Sequence, residues 1–127
     1  MFAKLISHRQ TLKILKGYYP AQFQITNRKN SFCVSLNDSI LPPSAYEPES
    51  STGLDFTVYR NDLIFINHLH VMPARRGLGL ANNILAPLWT FYFDFNFRSI
   101  NLISINEPFW RHIARKFPWI NFNITEH

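Results

Sequence analysis

Leu63-Ile64-Phe65-Ile66-Asn67-His68-Leu69-His70-Val71, followed at once by Met72-Pro73-Ala74-Arg75-Arg76-Gly77-Leu78-Gly79-Leu80-Ala81, is the stretch on which the fold turns. Its first half is nearly all apolar at the start, as a strand buried inside a sheet would be. Its second half opens on a proline and holds two of the four glycines in the chain. Beyond it, Leu78, Ala81, Leu85, Leu88 and Trp89 keep a 3.6-residue rhythm, the mark of a helix. A buried strand, a glycine-bearing turn and a helix therefore follow one another. Such a junction is suited to anions. The first helical turn has N–H groups without intrahelical partners at the positive end of the helix dipole, and glycine lets a ligand approach them closely. Arg75 and Arg76 add full positive charge there.

The same reading extends outward in both directions. Leu5, Ile6, Leu12 and Leu15 predict an amphipathic helix over residues 4–16, with Gly17 placed to end it and Pro20 making the stop firm. Gln22–Thr26 and Phe32–Leu36 form a hairpin across Asn27-Arg28-Lys29-Asn30. Residues 38–53, with Pro42, Pro43, Pro48, Gly53 and several serines, predict a long loop. Loops of that length are commonly binding loops or surface excursions. Leu54–Tyr59 pairs with Leu63–Val71 as a second hairpin. Pro87 should kink the long helix or end its regular part. Ser99–Ile105 is a strand, Glu107–Lys116 a helix and Trp119–Ile124 a last strand. The order is α-β-β-β-β-α-β-α-β. It predicts an α/β fold, a mixed sheet with helices on its faces, in one domain spanning residues 1–127.

Composition bounds the function. With 46% apolar and 17% charged residues among 127, the chain folds rather than staying disordered. Cys33 is the only cysteine, which excludes an internal disulfide and a cysteine-based zinc site, and a cytoplasmic setting is the economical expectation. No apolar run approaches the roughly 20 residues that span a bilayer. Net charge is +5, which suits nucleic acid, a cofactor carrying several phosphates, or an acidic carrier protein, and does not choose among them.

The turn chooses. Val71-x-Pro73-x-x-Arg76-Gly77-x-Gly79-x-Ala81 resembles motif A of the GCN5-related N-acetyltransferase (GNAT) superfamily, which ends in Arg or Gln, two residues, Gly, one residue, then Gly or Ala. The five fixed positions Pro73, Arg76, Gly77, Gly79 and Ala81 coincide in a chain of this size about once in 10⁴ sequences. The turn is not a Walker loop, for Gly-Lys-Ser/Thr is absent. The resemblance covers about residues 54–122 and is specific only at the turn.

It implies a GNAT-like sheet with two splayed parallel strands, here Leu63–Val71 and Ser99–Ile105. It also implies a cosubstrate, acetyl-CoA or another acyl-CoA, whose pyrophosphate rests on the main chain of Arg76, Gly77, Leu78, Gly79, Leu80 and Ala81. Val71 would lie near the thioester carbonyl, where a backbone N–H stabilises an oxyanion. Asn106 would stand near the cofactor. The reaction implied is transfer of an acyl group, most simply acetyl, to an amine acceptor. For the base, His68 and His70 share one face of the central strand and suit proton transfer near neutral pH. Packed, hydrogen-bonded histidines are the plainer alternative, and no third ligand accompanies them, so no metal is expected. His112 is expected to be solvated. Tyr59, Tyr92 and Ser104 are spare polar candidates, and Glu47 and Glu49 could meet a cationic amine.

The chain departs from the family in three ways. The part before the first hairpin is short. A single strand stands at the C-terminal end where the family has a hairpin, which allows a homodimer by strand exchange. Phe109 and Trp110 stand where many members carry the tyrosine that protonates the leaving thiolate. A catalytically silent module that binds coenzyme A or a partner protein is therefore the second reading. A basic nucleic-acid binder is the third and least favoured, and no membrane partner is expected.

Overall fold

The structure, a computed structural model, describes residues 7–36, 53–59, 62–71, 79–104 and 107–126. Helix α1 (His8–Tyr18) is followed by strands β1 (Phe23–Asn27), β2 (Phe32–Leu36), β3 (Gly53–Tyr59) and β4 (Leu63–His70). Then come α2 (Leu80–Asp94), β5 (Ser99–Ser104), α3 (Glu107–Lys116) and β6 (Phe122–Glu126). The element order is the one the sequence predicts.

Helix α1 begins where Ser7, in an extended conformation, accepts a hydrogen bond from the backbone N–H of Gln10 through its side chain. Ser7 and Gln10 thus stand at N-cap spacing, which satisfies one of the orphan donors of the first turn. Residues 4–6 of the predicted helix lie outside the described residues. At the other end Gly17 is helical and the helix runs one residue past it, with Tyr19 as the cap and Pro20 immediately after. Thr11 and Leu15 are buried, while Arg9, Lys13 and Lys16 point to solvent.

The six strands lie in the order β1-β2-β3-β4-β5-β6. The first four are antiparallel neighbours, and β4–β5 and β5–β6 are parallel. Residues opposite one another share a face. One row runs Phe32, Phe56, Ile66, Leu102, Ile124, and a second runs Val58, Ile64, Ile100, Phe122. These rows are the floor of the core, where Phe56, Ile64 and Ile100 are fully buried. Helix α2 lays Ile84, Leu85, Leu88, Trp89, Phe91 and Tyr92 on that floor.

Both parallel connections step in the same direction along the sheet, so right-handed crossovers put α2 and α3 on one face. Contacts of the Trp89 ring with Phe117 and Phe122, and of His8 with Phe32, place all three helices there. Among the described residues the expectation of helices on its faces thus narrows to helices on one face. The other face is polar around Asn101, where Ser99 Oγ donates to Asn101 Oδ1 at 2.9 Å and Asn123 Nδ2 donates to the same atom at 3.1 Å.

Several element ends differ from expectation, most by one or two residues, and three points are informative. Gly53, read as the end of the loop, opens β3; the rest of that loop, with Glu47 and Glu49, lies outside the described residues. Helix α2 does not end at Pro87 but runs through it, because buried residues on both sides of it pack on one sheet. Strand β6 begins at Phe122, not Trp119. Residues 117–120 form a turn in which Ile120 N–H donates to the Phe117 carbonyl at 3.0 Å.

Candidate functional site

Strands β4 and β5 pair from Leu63↔Ser99 to Ile66↔Leu102, and their ladder goes no further. Beyond that point β4 continues to pair with β3 through His70↔Gly53. Strand β5 continues with β6 through Ser104↔Glu126. The sheet therefore forks at the carboxyl ends of the parallel neighbours β4 and β5.

The fork has a local cause. The β3–β4 register shifts between Asp55↔His68 and Phe56↔Ile66, so Asn67 is an extra residue, a β-bulge. A bulge bends and twists its strand, which turns β4 away from β5 directly after Ile66. It also reverses the alternation. Without it, His68 and His70 would continue the Ile64, Ile66 face and enter the core. With it, Leu69 faces Leu54 on the helix side, while His68 stands across from Asp55 on the polar face. The two imidazoles are half-buried and near-parallel, with ring centroids 6.3 Å apart. The sequence puts the two histidines on one face, as observed; the bulge decides which.

Asp55 is the residue that sequence reasoning missed. It lies in the row Thr26, Cys33, Asp55, His68 and is 8% exposed. Its carboxylate accepts from Asn67 Nδ2 at 2.8 Å, Ser31 Oγ at 3.3 Å and Arg28 Nη1 at 3.4 Å. The available signal was an acid inside the apolar strand Leu54-Asp55-Phe56, which needs partners to be buried. Beside it, burial pushes the Cys33 thiol up to about 11, with the Asp55 carboxylate adding to the effect. At neutral pH Cys33 is a protonated thiol, not a nucleophile.

Val71, directly after β4, is half-buried. Residues 72–78, with Arg76, Gly77 and Leu78, lie outside the described residues, as does Asn106. Helix α2 then starts from Gly79, whose φ of 75° is left-handed and favours glycine. Among the described residues no side chain caps this helix, and its first turn holds no acid. Among the described residues a Cβ built on Gly79 would meet nothing within 4 Å, while its left-handed backbone calls for glycine. Leu80 and Ala81 are half-buried, and Leu80 packs on the core. A helix N-terminus entered through a left-handed glycine, with no cap from a described side chain, is compatible with an anion.

The remaining candidates separate. Trp110 is buried in the core and Phe109 packs against it. Tyr92 donates to the Arg98 carbonyl and accepts from the Asn121 N–H, while Tyr59 is half exposed at the end of β3. His112 is exposed. Among the described residues no group of three His, Cys, Asp or Glu is placed to hold a metal ion, and no helix is long and apolar enough to cross a membrane. Comparison with family models, curated proteins and solved structures finds no match.

Proposed function

We propose that the chain binds an acyl-CoA and transfers its acyl group to an amine. The observation that carries this reading is the fork of β4 from β5, just ahead of a helix N-terminus entered through a left-handed glycine. The phosphates of the cosubstrate sit on the helix side, on the main chain from Arg76 to Ala81. Its pantetheine arm passes into the fork beside Val71. The acceptor comes from the polar face, where His68 and His70 stand. One imidazole takes the proton of the attacking nitrogen as the new C–N bond forms and the C–S bond breaks. The departing thiolate draws its proton from water.

Titration calorimetry with acetyl-CoA tests the binding half. A dissociation constant below a millimolar is expected, and no heat up to that concentration overturns the reading. Thiol release with a panel of amines tests turnover. Loss of a general base costs about 10²-fold or more in kcat. That loss is expected in His68→Ala or His70→Ala, with acetyl-CoA affinity retained. Full activity in both variants removes the histidines from the mechanism.

One observation favours a second reading. Trp110 is committed to the core, and Phe109 offers no proton to a leaving thiolate. A silent coenzyme A-binding module would give the calorimetric signal with no thiol release from any amine.

A further inference from the structure

Charge is not spread evenly over this molecule. Helix α1 carries Arg9, Lys13 and Lys16 and no acid. Helix α3 carries Arg111, Arg115 and Lys116 against the single acid Glu107. The two helices together therefore hold a net charge equal to the +5 of the whole chain, and everything else sums to zero. All six cations are exposed.

Their spacing is helical. Arg9, Lys13 and Lys16 follow at i, i+4 and i+7, and Arg111 and Arg115 at i and i+4, so each set lies along one side of its helix. The packing then puts both sets on the same side of the molecule, because all three helices cover one face of the sheet. Helix α1 packs on β1 and α3 on β6, with α2 over β3 and β4. With strands about 4.8 Å apart, the two basic helices stand on the order of 20 Å from each other. Between them α2 turns Asn82, Asn83, Ala86 and Thr90 to solvent. These are uncharged, and three of the four can form hydrogen bonds. The one acid exposed on α2, Asp94, accepts a hydrogen bond from the Tyr18 hydroxyl at 2.7 Å. At the end of α2, Phe93 and Trp119 are 67% and 50% exposed and meet edge to face at 5.8 Å. The Lys116 ammonium lies 5.8 Å from the centre of the neighbouring Phe117 ring.

We infer that the outer surface of the helix layer, from α1 across α2 to α3, is a docking face for a nucleic acid held by its phosphodiester backbone. Two cationic rows set some 20 Å apart match a partner with anionic charge distributed over that distance. A single coenzyme A molecule would meet one row or the other. The neutral amides and hydroxyl between the rows suit sugar and phosphate oxygens, since phosphate contacts draw on Arg, Lys, Asn and Thr together. The exposed aromatic pair offers a flat surface for an unpaired base. The surface adjoins the proposed phosphate seat only at the first turn of α2, through Asn82 and Asn83, and does not depend on the acyltransferase reading.

The test is fluorescence anisotropy with two labelled probes, a 20-base-pair RNA hairpin and a DNA duplex of the same length. Proteins held by phosphate contacts alone bind with about 10⁻⁴ to 10⁻⁶ M dissociation constants and lose affinity steeply with salt. Micromolar binding to at least one probe is expected at 50 mM salt. With five neutralised phosphates the affinity falls several hundred-fold between 50 and 200 mM salt. Replacing Arg9, Lys13 and Lys16 together by Gln, or Arg111, Arg115 and Lys116 together by Gln, should weaken binding at least tenfold at 50 mM. Each triple should also flatten the salt slope by two to three, at about 0.9 per contact. Lys29→Gln, on the β1–β2 turn, should leave the slope unchanged. A charge-conserving α1 variant, Arg9→Lys with Lys13→Arg and Lys16→Arg, should bind like the parent, and circular dichroism confirms that each variant is folded. Preference for one probe distinguishes RNA from DNA. The inference is overturned by no anisotropy change at 100 μM protein on both probes. Equal loss per charge in Lys29→Gln overturns it too, as does binding to vesicles of anionic lipid without binding to either probe.

Discussion

Cys33 shows how a single position can be chemically silenced by its surroundings. It is fully buried on β2, with Asp55 directly across on β3. Burial first, and the neighbouring carboxylate second, raise its pKa from 9.0 to about 11. At pH 8 the thiolate fraction is then about one part in a thousand, against roughly a tenth for an unperturbed thiol. Reaction with a disulfide reagent at pH 8 should be about 100-fold slower in the native protein than in denaturant, from ionisation alone. Enclosure slows it further. Rapid native labelling, followed by absorbance of the released thiol, would contradict this placement. The same row shows what a residue-by-residue reading misses. Thr26, Cys33, Asp55 and His68 come from four strands, and their juxtaposition depends on a register that no local pattern encodes. The pairing of His68 with His70 was legible because period two is a local rule. Their facing was not, because the bulge at Asn67 adds a residue without any compositional mark.

At the scale of elements, order and type were legible and ends were less so. Periodicity names α1, α2 and α3 because each buries one stripe. It cannot say that Gly17 is tolerated inside the last turn of α1, nor that Phe117, Trp119 and Ile120 serve a turn. Those side chains pack on Trp89, Tyr92 and the core instead of alternating in a strand. Helix α2 is the clearest case of packing overriding local preference. Pro87 lacks the N–H that would bond to the Asn83 carbonyl, a defect that costs up to about 3 kcal/mol in a helix interior. Six buried apolar residues, two before Pro87 and four after it, hold the helix together regardless. Pro87→Ala should therefore stabilise the protein by about 1–3 kcal/mol, seen as a rise of several degrees in Tm. Gly79→Ala should act oppositely. Its Cβ has space, but a left-handed backbone costs an L-residue about 1–2 kcal/mol. A Tm unchanged by both substitutions would mean that α2 does not start and run as described.

Across the whole molecule, stability is divided unequally, and the division can be measured. Strands β3 and β4 are interior to the sheet and carry the densest pairing, with α2 above them. Among the described residues strand β6 is an edge strand, bound on one side only, and Phe122 and Ile124 are merely half-buried. Helix α3 leans chiefly on β6, so the α3–β6 pair forms a unit joined to the rest through β5 and a few large side chains. Trp89 is the principal such side chain, touching both Phe117 and Phe122 from α2 at ring distances of 6.0 and 5.4 Å. Units with fewer buried contacts open below the global unfolding free energy. Amide hydrogen exchange should accordingly show residues 107–126 exchanging well before residues 54–58 and 63–66. Trp89→Leu removes the aromatic bridge while keeping an apolar residue in the core. It should accelerate exchange in 107–126 by about 10-fold or more, as expected for a loss of 1.4 kcal/mol or more, with a smaller change in β3 and β4. If all strands accelerate together, the sheet opens as one cooperative body. The fork between β4 and β5 would then lie inside a single rigid unit, not at the seam between two.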